Sequence, residues 1–143
     1  MPIATTVCRI LLGLLFTFAG ALDLFVTHPP HEPGLAGAFN VIFAQSHWMQ
    51  FVGFAQFVAG VFLLANRYVP VALIVLAGFL YNSFAFHITM MPTTVFVVVI
   101  VTALWAIVSL KYRSLFAPLF GARPALADSP NALPQSAQKR AGS

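Results

Sequence analysis

Along this chain, runs of apolar residues are cut by short polar breaks, and the lengths of the runs decide what they can form. A helix that crosses a bilayer needs about 20 mainly apolar residues, because the hydrocarbon core is about 30 Å thick and each helical residue rises about 1.5 Å. Four runs are near that length: about Val7 to Val26, Trp48 to Ala65, Val69 to Ile88 and Thr94 to Leu110. The third opens with Pro70 in its first turn, where a missing N–H costs nothing. The fourth contains a β-branched and aromatic stretch, Val95 to Val101, that would favour a strand in water. In lipid an open strand leaves its backbone groups unpaired, so helix is expected there as well. Between the first two runs, Leu35, Ala38, Phe39, Val41, Ile42 and Phe43 predict a short helix over Gly34 to Ser46, lying on the membrane surface.

Composition sharpens this picture. Of 143 residues, 60% are hydrophobic and 7% charged, against roughly a quarter charged in a soluble domain. The balance excludes a collagen, a disulfide-stapled module, a disordered chain and a nucleic-acid binder, and leaves the lipid bilayer as the main partner. At this length one domain is expected. The few basic residues are unevenly placed. Arg67 lies in the second loop, and Lys111, Arg113, Arg123, Lys139 and Arg140 follow the last run, whereas the first loop (about Thr27 to His47) and the third (about Thr89 to Thr93) have none. The positive-inside rule then puts both termini in the cytoplasm, with Arg9 at the cytoplasmic end of span one. The fold expected is an all-α, four-helix up-down membrane bundle over residues 1–113. Residues 114–143, with Pro118, Pro124, Pro130 and Pro134 among Ala, Ser and Gln, read as a disordered cytoplasmic tail. Ala19-Gly20-Ala21 resembles a signal-peptide cleavage site, but the apolar run continues through Val26, so an uncleaved span is expected.

Close helix approach in lipid depends on small residues. Gly13 and Gly20 share one face of the first run, and Gly53 and Gly60 share one face of the second. These two helices are therefore the expected tight pair.

Polar side chains at membrane depth are costly and informative. They are Asp23, Gln50, Gln56, Asn82, Ser83 and His87, all in the outer half under the orientation above. Gln56 follows Gly53 by three residues and precedes Gly60 by four, so it faces the presumed close contact. Ser83 and His87 share a face, whereas Asn82 and His87 point about 140° apart. Asn82 is expected to bond a neighbouring helix while His87 faces a pocket, and Asp23 is placed to hold one His87 nitrogen. The bland alternatives are interhelical amide hydrogen bonds worth about 1 kcal/mol, and an interfacial histidine with its polar edge wet.

Other chemistry has little support. His28, His31, Glu32 and His47 carry metal-ligating atoms, but Pro29 and Pro30 extend the segment and the spacing is loose, so no metal site is expected. The single Cys8 cannot form an intrachain disulfide or a two-cysteine relay. There is no GxGxxG or P-loop, and His87 is the one imidazole well within a span, too few for a haem with two axial histidines. The chain is not expected to be a self-sufficient enzyme.

Gly20, the Pro29-Pro30 to Pro33-Gly34 segment, Gln56 with Gly60 and Leu63-Leu64, the stretch Asn66-Arg67-Tyr68-Val69-Pro70-Val71-Ala72-Leu73, and Asn82 with Phe86-His87 and Pro92 together form a pattern. It resembles the small DoxX-like bacterial membrane proteins over roughly Arg9 to Leu110, most specifically from Asn66 to Pro92. The resemblance implies a four-helix inner-membrane protein linked to quinone or thiol redox chemistry, with a redox partner protein. On that footing, a quinone or other small apolar ligand is expected in a pocket of the outer half, at Gln56, Asn82, His87 and Asp23. The alternatives are a non-catalytic scaffold and, more weakly, a small-solute permease that lines a path only as a homo-oligomer.

Overall fold

The computed structural model describes residues 3–25 and 32–120. Among them there is no strand. The helices are α1 (Ile3–Phe25), α2 (Gly34–Gln45), α3 (Trp48–Leu64), α4 (Val69–Met90), α5 (Val95–Lys111) and the short α6 (Arg113–Phe116). A 3₁₀ turn at Pro92–Thr94 joins α4 to α5, and another, Ala117–Phe120, follows α6. The chain divides after Tyr112 into two compact units.

Two helices, α1 and α4, and the continuous stretch Pro92–Lys111 are long and apolar enough to cross a membrane. The fourth expected span, α3, has 17 residues, about 26 Å of rise and the lower limit for crossing. It follows α2 after a break of two residues and an 85° bend, so the spans number three, or four if that pair counts as one. His47 makes the bend in the left-handed region, with φ 60°. Large apolar side chains face outward along the long helices: Phe18 is 68% exposed, Phe51 73% and Leu110 66%. Such an exterior suits acyl chains rather than water, and the chain is a multi-pass membrane protein.

The interior is built from Leu12 and Phe16 of α1, Leu63 of α3, Leu73 and Leu76 of α4 and Val108 of α5, all fully buried. Helix α1 packs on α3 and α5, and α4 on α3 and α5. The expected glycine pair is present. Gly13 meets Gly60 and Gly20 meets Gly53, so α1 and α3 run antiparallel. A Cβ on Gly60 would fall 2.5 Å from Thr17 Oγ1, and one on Gly20 would fall 2.6 Å from the Gly53 carbonyl oxygen. No side chain fits at that separation. On the other side, Trp105 Nε1 donates to the Leu73 carbonyl at 2.9 Å and ties α5 to α4.

Helix α3 ends in a fully accounted cap. Asn66 takes φ 54°, the left-handed conformation that asparagine tolerates at this position. The Asn66 N–H then donates to Leu63 at 3.3 Å and the Arg67 N–H to Phe62 at 3.1 Å, while Ala65 N–H reaches Val61 at 2.9 Å. From α1, the buried Arg9 guanidinium donates through Nη1 to the carbonyls of Leu63 and, at 3.5 Å, Leu64. All four terminal carbonyls are thus paired, and a cation sits at the negative end of the helix. Tyr112 Oη, near the end of α5, donates to Asn66 Oδ1 at 3.4 Å.

Three boundaries differ from expectation. Helix α1 begins at Ile3 rather than Val7, because Ile3-Ala4-Thr5-Thr6 has nothing to stop a helix; Val26 lies outside the described residues. Helix α4 runs to Met90, two residues past Ile88, and stops only before Pro92. Residues 114–120, expected in the tail, are helical, since the Arg113-Ser114-Leu115-Phe116 run lacks a breaker before Pro118. The remainder of that expected tail lies outside the described residues.

Candidate functional site

The site is framed by four helices. A cavity of about 290 Å³ opens between α1, α3, α4 and α5, walled mainly by aliphatic and aromatic side chains such as Phe16, Phe79 and Val98. Phe16 and Phe79 meet edge to face at 5.5 Å, fixing the wall between α1 and α4. Three polar residues line it: Gln56 of α3 and Ser83 and His87 of α4. The helical period puts Ser83 and His87 one turn apart on a single face. Gln56 arrives because the glycine contact carries α3 against α1.

Gln56 is 3% exposed. Its Nε2 donates to Asp23 Oδ2 at 3.2 Å, linking α3 to α1. Asp23 itself is half-buried, with its Cβ against Gly53. His87 is half-buried on α4, and its Nδ1 lies 2.8 Å from Thr94 Oγ1. That hydroxyl in turn donates to the Met91 carbonyl at 3.0 Å. The break at Met91 and Pro92 reverses the chain and brings Thr94 back beside the last turn of α4. Phe86 stands edge to face with the His87 ring at 5.4 Å and touches Phe39 of α2 at 5.4 Å, so the helix before the bend supports the histidine.

The expected constellation is therefore divided. Gln56 and His87 share the cavity and Ser83 joins them, whereas Asp23 bonds Gln56 rather than His87. The reason is geometric: the close α1–α3 contact directs Asp23 at α3, and the turn after α4 supplies the histidine with a nearer partner. Asn82 is exposed and donates at 2.9 Å to the Gly78 carbonyl of its own helix, not to a neighbour. It lies outside the cavity lining. Thr94 is the residue that sequence reasoning missed; the one pointer to it was Pro92, which marks a reversal but not which later side chain comes back.

Of the outer-loop metal candidates, His28 and His31 lie outside the described residues. Glu32 accepts a hydrogen bond from Asn40 at 3.2 Å. Comparison with protein-family models, with curated proteins and with solved structures gives no match.

Proposed function

We propose that the chain is a DoxX-like membrane subunit of a redox complex in the bacterial inner membrane, and that its cavity holds the ring of a quinone or a similar small apolar compound. The cavity carries this reading. It combines mostly apolar walls with a few convergent polar groups, the usual build of a small-molecule site, and its volume suits a single ring. When bound, a quinone supplies electron and proton transfer, the electrons being exchanged with a partner protein. The chain's own part is to seat the ring against Phe16, Phe79 and Val98 and to meet its oxygens with Gln56, Ser83 and His87.

The same reading takes α1, α3, α4 and α5 as an up-down four-helix bundle with both termini cytoplasmic. It is supported by the convergence of Arg9, Arg67 and Lys111: Arg9 bonds the end of α3, and Tyr112 reaches Asn66 from the end of α5. Basic residues at one end are the cytoplasmic signature. Helix α2, turned 85° from α3, then lies along the opposite surface.

Protein purified in mild detergent should carry quinone, in its oxidised or reduced form, near one per chain, and both His87→Ala and the cavity-filling Val98→Trp should release it. A purified chain that retains only phospholipid contradicts the proposal. A scaffold without a ligand is the second reading, favoured by the Asp23–Gln56 bond that locks α1 to α3. On that reading Val98→Trp changes stability alone.

A further inference from the structure

The cavity's polar groups differ in what they can offer. Thr94 Oγ1 touches both His87 Nδ1, at 2.8 Å, and the Met91 carbonyl, at 3.0 Å. A threonine hydroxyl has a single hydrogen, and a carbonyl can only accept. Both contacts are hydrogen bonds only if the hydroxyl gives its hydrogen to Met91 and receives one from Nδ1–H. In the neutral ring the other nitrogen, Nε2, then carries a lone pair and accepts. Gln56 is less committed: its Nε2 turns one N–H to Asp23 and keeps a second, and its amide oxygen accepts, so the choice between donor and acceptor ligands falls to His87. Ser83, the third polar residue, can serve either way.

We infer that the cavity selects a ligand bearing hydroxyl donors, the hydroquinone form or a phenol, over the corresponding quinone, whose oxygens only accept. The inference rests on the proposed ring-binding function and specifies which redox form that site holds. A quinone oxygen set against Nε2 would place two lone pairs together in an apolar site, and an unmatched polar group in such a site is costly. A hydroquinone O–H set there completes a chain from ligand to His87 to Thr94 to the Met91 carbonyl. Thr94 is thus a positioning residue: it fixes which ring nitrogen holds the hydrogen without lining the cavity.

The test compares tetramethylhydroquinone, tetramethylbenzoquinone and the dimethyl ether of the hydroquinone, by anaerobic equilibrium dialysis against the full chain in detergent. The hydroquinone should bind about tenfold more tightly than either of the others, the effect of one good hydrogen bond. Thr94→Val keeps the side-chain shape but removes the acceptor for Nδ1–H. It should cut the preference several-fold, chiefly by raising quinone affinity, because the hydrogen is then free to sit on Nε2 and meet a quinone oxygen. Equal or tighter quinone binding by the unaltered chain overturns the inference but leaves the ring-binding function standing, and an unchanged preference in Thr94→Val overturns the part given to Thr94. Failure of all three probes to bind overturns both the inference and the function beneath it.

Discussion

Removing the two ends of the Asp23–Gln56 bond separately should have unequal effects, because the two ends are unequally buried. Gln56 is 3% exposed, so Asp23→Ala strands its amide where no water can replace the carboxylate. An unsatisfied buried polar group costs about 1–3 kcal/mol, and alanine retains the Cβ that fits against Gly53. Gln56→Met keeps the volume and removes the donor. The half-buried Asp23 can then turn toward the head groups, so the loss should be about 0.5–1 kcal/mol. The double variant strands nothing, and its cost should fall below the sum of the singles by about 1 kcal/mol, within the range of polar couplings measured between membrane helices. Reversible unfolding by titrating dodecyl sulfate into mixed micelles, followed by circular dichroism, gives all three values. Additive singles within about 0.3 kcal/mol, or a Gln56→Met that costs more than Asp23→Ala, would refute the argument.

Other consequences are read with the same unfolding titration. Arg9→Met removes the donors to the Leu63 and Leu64 carbonyls. Leu63 keeps the Asn66 N–H, so the loss centres on Leu64 and should be about 1–2 kcal/mol; an unchanged midpoint would mean the cation is not a cap. Gly60→Ala drives a Cβ to 2.5 Å from Thr17 Oγ1 and should destabilise by about 1–3 kcal/mol, whereas Gly78→Ala, with no heavy atom within 4 Å, should not. Asn82→Leu loses only a bond to its own helix and should stay within about 0.5 kcal/mol of the parent, with quinone content unchanged. A loss of ligand in that variant would return Asn82 to the site.

Helix positions were legible because in lipid the backbone has one local solution, and run length alone marks it. The start and end of α3 fell within a residue of expectation, and the Gly13, Gly20, Gly53 and Gly60 contact followed from spacing on two faces. The site was harder to read. Ser83 and His87 share a face by period, and the structure puts both at the cavity. What periodicity cannot say is which of several polar neighbours a side chain chooses, since that depends on how closely two helices approach and where a turn returns. Asp23 was drawn to Gln56 by a glycine contact nearer than any route to α4. His87 was taken by Thr94 because the chain reverses at Pro92, and Asn82 found its partner one turn back along its own backbone. Arg9 reads in the sequence only as a basic residue near the end of a span; its role at the end of α3 required knowing which helix end lay beside it.

A ring-shaped ligand is proposed for the cavity between α1, α3, α4 and α5. Photolabelling the full chain in lipid nanodiscs with an azidoquinone, followed by peptide mapping, tests it most directly. Label should fall on the α4 segment bearing Ser83 and His87 and on the Leu15 to Ala19 turn of α1, displaced by excess unlabelled ligand and absent in Val98→Trp. Label spread over outward residues such as Phe51 and Phe54, and not displaced, would contradict it.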